Sequence, residues 1–218
     1  GHEGPVSSII EKAWAPLADE ITRSSLGSLH ALRRNSSEGK RPSLMIATHM
    51  DAIGLMVRKI EHGLLYISQV GGVDPRILPG QLVTVHGKQE IRGIVQMLPD
   101  RLMHTRKAGE PADYQSLFVD TGMKHGELER KVMVGDIISF DQSPIAFGGG
   151  YIAGHSLDNR ASVAALTVCL QEIRNVNLQW DVWGAATVQE ELHLIGGYTS
   201  TFQIQPDIGI AVDVTFAK

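Results

Sequence analysis

The chain has 218 residues, a formal net charge of −4 and one cysteine. At about 100–200 residues per domain this is one sizeable domain or two small ones, and without a basic excess nothing favours nucleic acid or an anionic membrane surface as partner. No apolar run is long enough to span a bilayer and no secretory n- and h-region is present. The single thiol, Cys169, excludes an internal disulfide framework and fits a reducing cytoplasm.

In chain order, Glu3 to Thr22 predicts an amphipathic helix on Val6, Ile9, Ile10, Ala13 and Trp14, kinked or split at Pro16. Ser24 to Asn35 predicts a turn and a strand, and Ser36 to Lys40 a polar loop. Leu44-Met45-Ile46-Ala47-Thr48 is a continuous apolar run, the mark of a strand covered on both faces. It delivers His49-Met50-Asp51 at its end.

From about Arg58 to Phe147 short β-branched runs replace helical periodicity: Leu64 to Val70, Gln81 to His86, Ile91 to Met97, Leu117 to Asp120 and Asp136 to Phe140. With glycine and proline turns between them and one short helical turn near Lys124 to Arg130, they predict a small all-β barrel or sandwich. Gly148-Gly149-Gly150 reads as a linker closing it. Helix (Arg160 to Ile173), strand (Asp181 to Val188), helix (Ile195 to Phe202) and buried strand (Ile208 to Val214) then follow. Such alternation predicts an α/β domain with a mainly parallel sheet flanked by helices. The β block is an insertion into it, giving boundaries of 1–57, 58–147 and 148–218.

Polar groups fall where these elements end: His49-Met50-Asp51, Asp158-Asn159-Arg160, Glu190-Glu191 and Asp213. Open α/β sheets bind ligands outside the carboxyl ends of their strands. Adjacent carboxylates on a still-extended chain point to opposite sides, which suits one of Glu190 and Glu191 as a metal ligand and the other as a base. Each residue has an ordinary reading too. The glutamates could open a solvated helix, Asp158 could be an N-cap, Asp51 and Asp213 turn acids, and His49 a hydrogen-bonded core histidine. A metal cluster accounts for all of them together. Histidine with carboxylates and no thiolate suits Zn²⁺, Mn²⁺ or Co²⁺, and a bridging Asp158 could hold two ions about 3.5–4 Å apart.

His49-Met50-Asp51-Ala52-Ile53-Gly54, Leu157-Asp158-Asn159-Arg160, Thr187-Val188-Gln189-Glu190-Glu191 and Asp213-Val214-Thr215 together resemble, in order and spacing, the TET-type metalloaminopeptidases. That family includes glutamyl and deblocking aminopeptidases and has also been labelled endoglucanase-like. The resemblance implies a zinc-exopeptidase-like catalytic domain with an inserted β-barrel that helps dimerisation. It implies two divalent ions, Zn or Co with Mn possible: His49, Asp158 and Asp213 on one, Asp158 and Glu191 with a later histidine on the other. Glu190 would be the general base toward a metal-activated water, Asp51 would orient His49, and the Asp158-Asn159 peptide would be cis. The substrates would be short peptides cleaved at a free amino terminus, and the assembly a homodimer-based tetrahedral dodecamer in the cytoplasm, with no nucleic-acid or membrane partner.

This chain departs from the pattern after Glu191. Leu192-His193-Leu194-Ile195 stands where the family has Val-Gly and a basic residue, and His193 is expected to face solvent rather than to tune the second metal site. Family members also run on past Asp213, so a C-terminal portion with the last histidine ligand is expected to be missing, and this chain to be inactive without it. Both ends, Gly1 and Lys218, are read as boundaries other than natural termini. His2, His30, His62, His86, His104, His125 and His155 carry no motif and are expected at the surface or in structural roles. Two rival functions remain: a non-catalytic assembly or binding module with a degenerate metal site, and a glycosidase.

Overall fold

The computed structural model describes residues 2–36, 41–99 and 111–216; the predicted loop at 37–40 and His104 lie outside them. The chain divides into two compact units, Gly1–Ala52 with Ser156–Lys218, and Ile53–His155. The first unit begins with α1 (Gly4–Trp14), β1 (Glu20–Arg23), β2 (Leu29–Arg33) and β3 (Ser43–His49). The second holds β4 (Gly54–Glu61), β5 (Leu64–Val70), β6 (Leu82–His86), β7 (Glu90–Met97), β8 (Leu117–Asp120), α2 (His125–Lys131), β9 (Ile137–Phe140), β10 (Ile145–Ala146) and β11 (Ile152–Ala153). The first unit resumes with α3 (Leu157–Ile173), β12 (Asp181–Thr187), α4 (Ile195–Ile204) and β13 (Ile208–Ala211).

The helix predicted to reach Thr22 stops at Trp14, because Pro16 lacks the N–H that another turn would need. The residues beyond it form β1 instead. Ser24 Oγ accepts the N–H groups of Gly27 (3.2 Å) and Ser28 (3.0 Å), closing the turn into β2.

Among the described residues the first unit's sheet runs β1-β2-β12-β3-β13. It is mixed rather than mainly parallel. β3 is parallel to β12 and β13, whereas β2 is antiparallel to β1 and β12. The short β1–β2 turn can join only antiparallel strands, which accounts for the β1–β2 pair. The strand predicted to be buried at Ile208 is exposed along its length, since among the described strands it pairs with β3 alone and forms the edge. Trp14, Leu29, Ala31, Leu166, Leu170, Ala186 and Val188 share one core. The Trp14 indole N–H donates to Thr167 Oγ1 at 2.8 Å, so the largest core side chain buries no unpaired donor.

The second unit is a closed barrel in the order β4-β5-β8-β7-β6-β9, with Leu55, Ile67, Val85, Val95, Val119 and Ile138 among its buried filling. The sequence reading missed β4, whose alternation is broken by Arg58-Lys59 and by a register shift between Val57 and Lys59. The helical turn predicted near Lys124 is α2. Gly148-Gly149-Gly150 is a turn rather than a linker: it joins β10 to β11, which pair antiparallel, and Gly149 has φ +78°, which favours glycine.

Candidate metal centre

Parallel pairing gathers the site. His49 is the last residue of β3 and stands in register with Thr187, the last of β12. The Met50 N–H donates to Thr187 O at 2.9 Å, holding the two strand ends together as the chains leave the sheet. On the other side of β3, β13 ends at Ala211, and the Val212 N–H donates to Ala47 O at 2.9 Å. Asp213 therefore emerges at the same end. Asp158 comes from the start of α3, where the Asp158-Asn159 peptide bond is cis.

His49 is the centre. Its ring is almost wholly buried, and its two nitrogens face different partners. Nδ1 lies 3.2 Å from Asp51 O and 3.4 Å from Asp51 Oδ1. Nε2 lies 3.1 Å from Asp158 Oδ1, 3.5 Å from Glu190 Oε2 and 3.9 Å from Asp213 Oδ1. Nδ1 is thus taken up by Asp51 and only Nε2 faces Asp158, Glu190 and Asp213, so His49 can ligate one ion and not two.

The glutamates are not on an extended chain, as the alternation argument required. β12 ends at Thr187, Gln189 has φ +56°, and Glu190 and Glu191 lie in the turn that leads to α4. Asp51 sets this turn: Oδ1 accepts the Glu190 N–H and Oδ2 the Glu191 N–H, each at 3.2 Å. The two side chains still part company. Glu190 joins His49 and Asp213 in one group, Glu191 joins His49 and Asp158 in another, and within each group the potential ligand atoms lie within 4.8 Å of one another. Glu190, assigned by the resemblance to base work alone, thus also lies within ligating reach of a cation beside His49 and Asp213.

The electrostatics call for positive charge. Burial lifts the Glu190 and Glu191 carboxyls above the ordinary range, and the charges of Asp213 on Glu190 and of Asp158 on Glu191 push the same way. Burial alone would lower His49, but the hydrogen bond and charge of Asp51 and the charges of Glu190 and Asp213 outweigh it and raise the ring to about 9. Burial likewise opposes ionisation of Asp51, yet His49 and the two backbone N–H donors hold its carboxyl below the usual value. A divalent cation relieves this repulsion, and the donor set of one imidazole and carboxylate oxygens fits Zn²⁺, Co²⁺ or Mn²⁺.

Several supports were invisible in the sequence. Val188 N–H reaches Ser28 Oγ at 3.3 Å. Gly196 lies against Val188 so closely that a Cβ there would sit 2.0 Å from Val188 O; the only signal was a Gly-Gly pair inside a predicted helix. His30 is fully buried and bonded through Nε2 to Ser200 Oγ at 2.9 Å, a structural role. His193 is exposed, has φ +70° and belongs to neither ligand group.

Strand-end carboxylates around a buried histidine in an α/β sheet, with a separate β-barrel unit, define the class: a mixed α/β protein with a candidate cation centre. The particular family follows from comparison. The profile of the M42 glutamyl aminopeptidase family matches residues 27–218, and the chain belongs to that family. It is similar to the lysyl aminopeptidase of Pyrococcus furiosus, 34% identical over 207 residues that make up 93% of this chain and 58% of that protein. In structure it resembles the aminopeptidase APDkam598 from the archaeon Desulfurococcus kamchatkensis, with TM-score 0.91, 31% identity and coverage of 100% of this chain and 59% of that one. It also resembles the TET1 peptidase of Pyrococcus horikoshii, described as assembling into a tetrahedron or a large octahedral shell, with TM-score 0.86, 27% identity and coverage of 98% and 64%. The chain spans about three-fifths of the length of the curated relatives it matches.

Proposed function

We propose that this chain forms the metal-binding part of a two-metal aminopeptidase that removes the first residue from short peptides. The observation that carries the reading is the parting of Glu190 and Glu191 into different groups around one buried histidine. His49 Nε2, Asp158 and Asp213 would hold one divalent ion, and Asp158 and Glu191 would contribute to a second, in a zinc-exopeptidase-like catalytic domain. When bound, such ions supply Lewis acidity that lowers the pKa of water and polarises a carbonyl. Glu190 accepts the proton of the attacking water and passes it to the leaving amine. Its upward-shifted carboxyl suits it to that exchange. Asp51 holds the His49 ring by Nδ1 and leaves Nε2 to the cation.

Zinc or cobalt is the expected ion, with manganese acceptable. By likeness to the TET1 peptidase, the barrel unit (58–147 in the sequence reading) serves self-association toward a tetrahedral dodecamer. The expected compartment is the cytoplasm; among the described residues no helix is long and apolar enough to cross a membrane.

A glycosidase would need two carboxylates flanking the scissile bond about 5–9.5 Å apart, and would leave His49 and Asp213 without a task. A degenerate assembly module would have no use for the ordered Glu190-Glu191 turn. The test is hydrolysis of peptides with free and with acetylated amino termini by the protein at its natural length, with Zn²⁺ or Co²⁺ and then with chelator. Metal-dependent release from free termini alone is expected. Chelator-resistant cleavage of a β-glucan would support the glycosidase, and no release from any peptide would support the module.

A further inference from the structure

The motif Asp158-Asn159-Arg160 gives the proposed centre one ligand, yet all its side chains reach toward the site. Asn159 is fully buried. Its Nδ2 donates to Val212 O at 2.9 Å, and Val212 directly precedes Asp213. Arg160 Nε donates to Met50 O at 3.2 Å, and Met50 lies between His49 and Asp51. Three successive residues thus supply a carboxylate, a tie to the chain after β13 and a tie to the chain after β3.

We infer that Asn159 and Arg160 are positioning residues that brace the candidate ligands, Asn159 fixing Asp213 and Arg160 fixing His49 and Asp51 relative to Asp158. Neither touches the reacting atoms. Each acts on a backbone carbonyl beside a ligand, where a small displacement of the chain moves the carboxylate or imidazole it carries. The pairing of β3 with β12 reaches His49, but Asp51 lies beyond it, and the pairing of β3 with β13 ends before Asp213. The last paired residue of β13 is Ala211, opposite Ala47, so Asp213 lies outside the ladder and needs another tether. A second observation separates bracing from mere filling. Asn159 Oδ1 is buried and has no hydrogen-bond partner among the described residues. Burying that acceptor unpaired costs stability, so a residue selected only to fill the space would be apolar. What Asn159 offers that leucine does not is the donor to Val212.

The inference rests on the proposed metal-binding role, and its test distinguishes the two. Zn²⁺ affinity by calorimetry and the metal-free thermal midpoint are measured on the natural-length protein and on Asn159→Leu, Arg160→Met and Arg160→Lys. Loss of a group that orients ligands typically weakens metal binding about 10- to 100-fold, and that loss is expected in Asn159→Leu and Arg160→Met. Their metal-free midpoints stay near that of the unaltered protein, and Arg160→Lys, which keeps a donor, recovers part of the affinity. If both variants bind Zn²⁺ as tightly as the unaltered protein, the bracing role is wrong and the metal site stands. If the midpoint falls while affinity holds, the residues are structural only, which also overturns it. If the unaltered protein binds no Zn²⁺, the metal reading fails and the inference with it. Should Asn159→Leu not fold, Arg160→Met and Arg160→Lys decide.

Discussion

At the scale of single residues the site is a problem of like charge. Glu190, Glu191, Asp158 and Asp213 surround one imidazole, and without a cation the fold carries their repulsion. The His49 pKa is raised from 6.5 to about 9 in the fold, so the stability it contributes is complete below about 6.5 and is lost as pH rises through about 9. Glu190 and Glu191, also raised, contribute in the same sense: their stabilisation is present below the unfolded carboxylate value and is lost above their folded values. The lowered Asp51 adds stability above its unfolded value, constant over that window. Metal-free protein is therefore expected to melt at lower temperature near pH 9 than near pH 6.5, read by circular dichroism in chelator; a rising midpoint would contradict this electrostatic picture. Glu190→Gln is expected to keep ion binding and lose about 10²–10⁴-fold in turnover, the range for a general base. Turnover within a few-fold of the unaltered enzyme would remove Glu190 from that role. Asp51→Asn puts an amide N–H against one of the backbone donors of Glu190 and Glu191, so weaker Zn²⁺ binding is expected by titration, together with a shift of the His49 titration to lower pH by NMR.

At the scale of elements, the sequence patterns located most strands and helices but not their relations. Leu44 to Thr48 and Asp181 to Val188 announced buried strands, and the sheet interior holds both. The prolonged first helix failed because a local apolar period was followed past Pro16, where the backbone loses its donor. The edge strand β13 was expected to be buried, for Ile208 and Ile210 look alike whether or not a neighbour covers them. Gly196 shows why packing contacts escape pattern reading: its constraint is the Val188 carbonyl, eight residues earlier in sequence and just past the end of β12. Gly196→Ala is expected to cost about 1–3 kcal/mol by overpacking, measured by chemical denaturation, and to weaken Zn²⁺ binding because α4 follows directly on the Glu190-Glu191 turn. Gly197→Ala is the control. A Cβ there meets nothing within 4 Å, so stability is expected to hold or to rise by up to about 1 kcal/mol from helix propensity. Equal tolerance of the two substitutions would show that α4 moves freely over the strand end.

At the scale of the whole molecule, a site assembled from β3, α3, the β12–α4 turn and the chain after β13 exists only when the first unit is folded. A cation that binds it must then stabilise that fold by linkage, by about 2.7 kcal/mol at a free concentration 100 times the dissociation constant. A rise in thermal midpoint with Zn²⁺ or Co²⁺, reversed by chelator, is the expected calorimetric result. Mg²⁺ is expected to do less, since an imidazole donor suits it poorly. For the natural-length protein, mass photometry is expected to show a dodecamer; a monodisperse monomer would remove the barrel from its proposed assembly role.

The sequence by itself singled out the candidate residues His49, Asp51, Asp158, Glu190, Glu191 and Asp213, because strand ends and strand-to-helix turns are marked by local apolar runs and by the polar residues that interrupt them. It also announced a β-rich insertion through the change from helical period to short β-branched runs. Tertiary structure alone decided that the insertion closes as a barrel, that β2 runs antiparallel to β12, and that Nε2 of His49 faces Asp158, Glu190 and Asp213 while Nδ1 faces Asp51. It alone joined Asn159 to Val212 and Arg160 to Met50. These are pairings between residues far apart in sequence, set by register and by backbone donors and acceptors, which every residue carries alike and no residue type spells out.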